Sequence, residues 1–270
     1  MSKPPKLLRV PDLQAKKARA EKITMLTAYS AWMARLLAAS QVIDMLLVGD
    51  SLGMVELGHD STIPVSMDDM VRYTRAVRSG APDALIVADM PFLSHQLSPA
   101  QALRNAGRLV QGGGATAVKL EGGAAIAPTI ERIVSAGIPV MGHLGLTPQS
   151  IHVLGGFRRQ AKLPEEQARV LADAVALEAA GAFSLVLECV PDELGLAASQ
   201  RLRIPVIGIG SGPGCDGQVL VINDILGLSG FAPAFSKQYA AVGDVISQAV
   251  KSYAEEVRSS VFPLPARKSS

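Results

Sequence analysis

Cysteine is scarce. Cys189 and Cys215 are the only two in 270 residues, too few for a disulfide scaffold, so a reducing compartment is expected. Aromatic residues make up 4%, which argues against a surface that stacks nucleic-acid bases. No sign of charge dominates: 26 Lys and Arg face 24 Asp and Glu, a net +2, too balanced for a dedicated nucleic-acid binder. No run of membrane length occurs either. The longest stretch without Asp, Glu, Lys or Arg is 133–157, and its Gly, Pro, Gln, Ser and His residues do not suit a bilayer. Residues 1–22 hold seven basic and two acidic groups, a local +5 against −3 for the remainder. They lack the apolar core of a secretion signal and read as a flexible basic leader, 1–10, running into a first solvated helix. A cytoplasmic protein with no membrane and no nucleic-acid partner is expected.

What the chain does have is apolar mass, 49% of residues, enough to exclude disorder. It is concentrated in short runs that read as buried parallel strands: 23–29, 45–50, 84–90, 117–122, 139–145, 184–190 and 205–211. An eighth, VLVINDI at 219–225, reads equally well as a helix. Helical segments lie between them. At 98–111, Ser98 can cap and Pro99 occupies the first helical position; Leu103, Ala106, Leu109 and Val110 share one face, and Gly112 to Gly114 end it. A helix at 164–180 opens with acidic residues, which suits its dipole, and stops at Gly181. A last amphipathic helix is expected at 237–258. Strand and helix alternate without a low-complexity linker. The expected fold is therefore α/β, a single-domain (β/α)₈ TIM barrel over 11–262, followed by a tail at 263–270. A doubly wound sheet is the alternative, but no G-x-G-x-x-G follows an early strand.

The ends of these strands carry the chemistry. Asp50 closes LLVGD, Asp89 closes LIVAD, His143 lies late in PVMGHLG and Glu188 closes LVLE. Lys119 and Glu121 stand two apart in AVKLEG, so they share a side of their strand. In a barrel all six converge on the C-terminal face, where active sites form. Asp50, Asp89 and Glu121 are hard oxygen donors whose crowding calls for a cation, and Mg²⁺ suits them. Zinc does not, for want of Cys or His pairs at ligand spacing. Lys119 can meet an anionic substrate or pair with Glu121. Glu188 is a candidate general base, or a further metal ligand or ion-pair partner. His143 can bind substrate or be a hydrogen-bonded structural histidine. Cys189 should point away from Glu188 and fill core. The glycine-rich 208–217 is either a phosphate loop or a tight turn.

Six segments, VGDSLGMVELGHDSTIPVSMDDM (48–70), LIVADMPF (85–92), AVKLEGG (117–123), PVMGHLGLTPQS (139–150), LVLECVP (185–191) and IPVIGIGSG…DGQ (204–218), together resemble the 3-methyl-2-oxobutanoate (ketopantoate) hydroxymethyltransferase family. The resemblance spans about residues 11–262 in order and spacing. It implies a phosphoenolpyruvate/pyruvate-type barrel that moves a one-carbon unit from 5,10-methylenetetrahydrofolate to 3-methyl-2-oxobutanoate. The product is 2-dehydropantoate, on the route to pantothenate and coenzyme A. It also implies one Mg²⁺ per subunit on Asp50, Asp89 and Glu121. Substrate contacts fall on Asp50, Ser51, Asp89, Lys119 and His143, the proton acceptor on Glu188, and the assembly is a homodecamer. A C–C lyase of the same superfamily is the rival, but its K-K-C-G-H loop is missing.

Overall fold

The computed structural model describes residues 8–230 and 233–263. The chain forms two compact units, Met1–Val221 and Ile222–Ser270. The first holds α1 (Val10–Ala18), β1 (Ile23–Thr27), α2 (Ala31–Ser40), β2 (Met45–Val48), α3 (Leu52–Val55), α4 (Met67–Gly80), β3 (Ile86–Asp89) and α5 (Pro99–Gly113). It continues with β4 (Ala117–Glu121), α6 (Ala127–Val134), β5 (Val140–Gly145), α7 (Ile151–Leu154), α8 (Pro164–Ala179), β6 (Ser184–Glu188), α9 (Asp192–Arg201), β7 (Val206–Ile209) and β8 (Gly217–Leu220). Each strand pairs in parallel with the next, and β8 returns to β1, closing the barrel. The expected (β/α)₈ barrel is therefore what the chain builds.

Strands buried on both faces need apolar side chains on both, and β2, β3 and β4 are buried throughout. Alternate residues Met25, Leu47, Val87, Ala117, Met141, Val186, Ile207 and Val219 belong to one buried cluster that fills the barrel. The intervening residues face the helices. A Cβ on Gly142, for instance, would lie 2.8 Å from Leu177 of α8. Closure depends on Gly217, where a Cβ would stand 2.3 Å from the Ile23 carbonyl oxygen. The eighth strand thus begins inside the glycine-rich segment, two residues before the expected 219, and ends at Leu220. Residues 222–225 are helical instead.

Helix ends follow their local chemistry. Ser66 and Asp69 form a reciprocal capping box on α4. On α5, Ser98 accepts from the Gln101 amide and Pro99 follows it, as expected. The helix runs through Gly112 and Gly113 before the left-handed Gly114 stops it. These glycines do not break α5, because they let it lie against α4: a Cβ on Gly113 would meet Thr74 at 2.9 Å.

The basic segment is not merely solvated. Leu13 of α1 is fully buried in the barrel cluster, with Leu8 and Val10 packed beside it. Lys16 bonds both carboxylate oxygens of Asp44 at 2.7 Å. Lys17 reaches Asp216 at 2.8 Å and the carbonyls of Ser199 and Ile204 at 2.7 and 2.9 Å. Asp44 precedes β2 and Asp216 precedes β8, so α1 is fastened across the N-terminal mouth. Lys17→Met is expected to cost about 3 kcal/mol in urea unfolding, since it removes the counter-ion of a poorly exposed carboxylate and leaves Asp216 to the Ser199 hydroxyl and the Val206 amide. Arg19→Ala breaks only the exposed pair with Glu21 and should cost under about 1 kcal/mol. Equal losses would refute the fastening role. The expected leader at 1–10 falls mostly outside the described residues, as does the tail at 263–270.

In the second unit, α10 (Ile222–Ile225) is followed by α11 (Val242–Arg258). The expected helix from 237 starts five residues late. The amides of Tyr239 and Ala240 bond the Ile225 carbonyl, and that of Val242 the Leu226 carbonyl, which ties this segment to the end of α10. Among the described residues no helix is long and apolar enough to cross a membrane.

Candidate active site

The alternation that fills the barrel also builds the site. Continuing each inward-facing row by two residues converts Val87 to Asp89, Ala117 to Lys119 and then Glu121, Met141 to His143, and Val186 to Glu188. The barrel is apolar below and ionisable above. Register places Asp89 beside Lys119, and Glu121 beside His143. Asp50 joins from the turn after β2, where its amide donates to Asp89 Oδ2 at 3.0 Å. Gly145 (φ +89°) brings β5 so close to β6 that a Cβ would lie 2.2 Å from the Glu188 carbonyl oxygen.

Asp50, Asp89, Lys119, Glu121 and His143 are all buried, and Glu188 is partly so. Lys119 Nζ stands 3.2 Å from Asp89 Oδ1 and 3.0 Å from His143 Nδ1. Its partner is therefore Asp89 on the next strand and not Glu121. His143 Nδ1 is 3.3 Å from Glu121 Oε1, and Nε2 is 3.2 Å from Glu188 Oε2. One imidazole thus spans the distance between the carboxylate cluster and Glu188.

Burial sets the electrostatics. It lifts the Asp50 pKa well above the carboxylate range, with the charges of Asp89 and Glu121 adding to it. Burial also raises Asp89, although Lys119 pulls against it. Glu121 is held below the usual range: burial opposes this, but the contact and charge of His143, with Lys119, outweigh it. Lys119 remains protonated, because its surrounding carboxylates outweigh the cost of burying an ammonium. Burial and Lys119 both oppose a charge on His143, yet its contacts with Glu121 and Glu188 raise its pKa.

Ser51 lies beside the cluster, and its Oγ is 2.7 Å from the Tyr29 hydroxyl. Burial pushes the Tyr29 phenol up, so it stays neutral. All seven expected residues, Asp50, Ser51, Asp89, Lys119, Glu121, His143 and Glu188, occupy the C-terminal ends of β2 to β6 or the turn after β2. Three participants escaped the sequence reading: Tyr29, His95 and Gln149. His95 Nε2 donates to the Glu121 carbonyl at 3.1 Å, and burial lowers its pKa, keeping it neutral. Gln149 lies within the charge-free stretch, where uncharged polar residues give no signal. Its place inside PVMGHLGLTPQS (139–150) was the one available pointer.

Cys189 differs from expectation. It is half-buried, with a left-handed φ of +49°. Burial, with the Glu188 charge, pushes its thiol up to about 12. Cys215 is buried, and its thiol is pushed up to about 11 for the same first reason. Neither supplies a thiolate near neutrality. The segment 208–217 serves as the tight connection from β7 into β8.

Three clustered carboxylates present a donor set for a hard cation. Asp89 Oδ1 and Glu121 Oε1 are buried and, among the described residues, accept no hydrogen bond; their neighbours are the charge contacts above. Among the described residues no group of three or more His, Cys, Asp or Glu side chains is already gathered closely enough to hold a metal ion.

The fold and site define a (β/α)₈-barrel enzyme with an acidic, lysine-bearing pocket at the strand C-termini. Solved structures share the architecture. Phosphonopyruvate hydrolase complexed with oxalate and Mg²⁺ matches at TM-score 0.63 and 15% identity, covering 97% of this chain and 92% of that one. A 2,3-dimethylmalate lyase of the PEP mutase/isocitrate lyase superfamily matches at 0.60 and 16%, covering 96% and 91%. At that identity the likeness concerns fold alone. Sequence relatives are far nearer. The 3-methyl-2-oxobutanoate hydroxymethyltransferase of Moorella thermoacetica is 56% identical over 255 residues, 94% of each chain. That of Syntrophus aciditrophicus is 56% identical over 252 residues, 93% of this chain and 92% of the other. The ketopantoate hydroxymethyltransferase family model matches residues 8–265. The chain belongs to the ketopantoate hydroxymethyltransferase family and is a transferase.

Proposed function

We propose that this chain transfers a hydroxymethyl group from 5,10-methylenetetrahydrofolate to 3-methyl-2-oxobutanoate, giving 2-dehydropantoate. The observation that carries the reading is His143, which touches Glu121 with one ring nitrogen and Glu188 with the other. For a small oxo acid held at the carboxylate cluster, Glu188 on β6 is the carboxylate across that imidazole. Asp50, Asp89 and Glu121 would hold Mg²⁺, which supplies Lewis-acid polarisation of the oxo group and so acidifies the neighbouring C–H.

The chain's own groups do the rest. Lys119, kept charged by its neighbours, and the Ser51 hydroxyl, oriented by Tyr29, receive the substrate carboxylate. Glu188 removes the C3 proton. His143 Nε2 stands 3.2 Å from Glu188 Oε2, which leaves the second oxygen of that carboxylate for the substrate. Carbon C3 then forms a bond to the one-carbon unit of the folate. Both C–N bonds of the methylene bridge break: water supplies the hydroxyl and one proton, the proton taken by Glu188 goes to the other nitrogen, and tetrahydrofolate leaves. A homodecamer in the cytoplasm is the assembly and location this reading carries with it.

The test is isotope exchange without folate. Incubated in D₂O with 3-methyl-2-oxobutanoate, the protein should incorporate deuterium at C3 only when Mg²⁺ is present. Folate-free exchange that is absent with every divalent metal, or unaffected by chelation, would refute the assignment.

A further inference from the structure

Gln149 is 5% exposed and makes four hydrogen bonds among the groups around the site. Its Nε2 donates to Asp50 Oδ2 and to the Met90 carbonyl, each at 2.9 Å. Its Oε1 accepts from Gln96 Nε2 at 3.3 Å. Its backbone amide donates to Glu121 Oε2 at 3.0 Å. That amide is free to do so because Gln149 lies in the first turn of a short 3₁₀ segment, Pro148–Ser150, where helical N–H groups lack internal partners. The side chain has two amide hydrogens and two acceptors facing them. A reversed amide would set its oxygen against both, so the partners determine its orientation.

We infer that Gln149 is the positioning residue of this site: a single residue, four positions past the end of β5, that ties the carboxylates of Asp50, after β2, and Glu121, on β4, into a fixed mutual arrangement. The physical need is plain from the charges. Asp50, Asp89 and Glu121 repel one another in a buried setting, and without restraint Asp50 would turn away. A neutral amide donor satisfies Asp50 without competing as a cation, and a second donor from the same residue holds Glu121. Lysine in this place would neutralise the cluster, and an apolar residue would leave Asp50 one donor short. The inference rests on the reading that these carboxylates bind a divalent ion. It predicts that outer-shell loss at Gln149 weakens metal binding before any turnover is measured.

The experiment titrates metal-free protein with Mn²⁺ alone, following the free-ion paramagnetic resonance signal, for the native chain, Gln149→Met and Asp50→Asn. The native chain should bind. Gln149→Met should bind about 10–100-fold more weakly, with an unfolding midpoint close to the native one. Gln149→Asn, too short to reach both acceptors, should show the same direction of change and serves if Gln149→Met does not fold. Affinity within twofold of native in a folded variant would overturn the inference, as would failure of both variants to fold, which would make Gln149 a structural residue. Failure of the native chain to bind, or binding by Asp50→Asn equal to native, would overturn the metal-site reading itself.

Discussion

Glu188→Gln should lower turnover by about 10²–10⁴-fold, the scale of general-base catalysis, while leaving oxo-acid binding within a small factor. The amide has the same shape as the carboxylate and can occupy the same place beside His143 Nε2, which is 3.2 Å from Glu188 Oε2. What it loses is the lone pair that takes the proton. Among the described residues it is that imidazole which joins Glu121 of the cluster to Glu188, so the cluster's hold on substrate should survive. Steady-state kinetics check the split: kcat falls and KM holds. Deuterium exchange at C3 should fall in parallel. A variant that exchanges C3 at the native rate would show that another group is the base. A variant that loses substrate affinity instead would make Glu188 a binding residue.

Asp50→Asn should act in opposite directions on function and stability. The asparagine oxygen can still accept from Gln149 Nε2, which reaches Asp50 at 2.9 Å, so the local frame persists. The charge does not. As a proposed direct ligand, Asp50 should matter more than an outer-shell partner, so divalent-metal affinity should fall by more than the about 10–100-fold such partners cost. Oxo-acid affinity should fall with it, and calorimetric titration reads both. In metal-free protein the same change removes one of three mutually repelling buried carboxylates, whose pKa burial already raises. A carboxyl whose pKa folding raises costs stability at neutral pH, and its removal should return about 1 kcal/mol or more, a rise of about 2–4 °C in the unfolding midpoint. A lower midpoint with unchanged metal affinity would mean that Asp50 is structural.

Much of this arrangement was legible in the linear chain. Period-two alternation carries Val87 into Asp89 and Met141 into His143 without reference to any other strand, because a β-strand sends every second residue to one side. Ser98-Pro99 announced a helix start through chemistry confined to one turn. Lys16 and Lys17 were not legible, because a basic helix looks the same whether it faces water or the carboxylates of Asp44 and Asp216. Gly112 and Gly113 read as a stop and proved to be a packing surface, since only the neighbouring α4 makes their missing side chains useful. The eighth strand was displaced toward Gly217 for a similar reason: its place is decided by the Ile23 carbonyl it must approach, and Ile23 lies at the far end of the barrel sequence.

By itself the sequence determined the kind of groups at each strand end and the face on which they stand, because both follow from local covalent geometry and the spacing of apolar residues. Only the tertiary structure decided partnership. Lys119 pairs with Asp89 and His143 rather than with Glu121 two residues along, His143 links Glu121 to Glu188, and Gln149 joins Asp50 to Glu121. These choices depend on strand register and loop closure, which bring together residues as distant as 50 and 149, and no pattern within a single segment encodes the distance between two others.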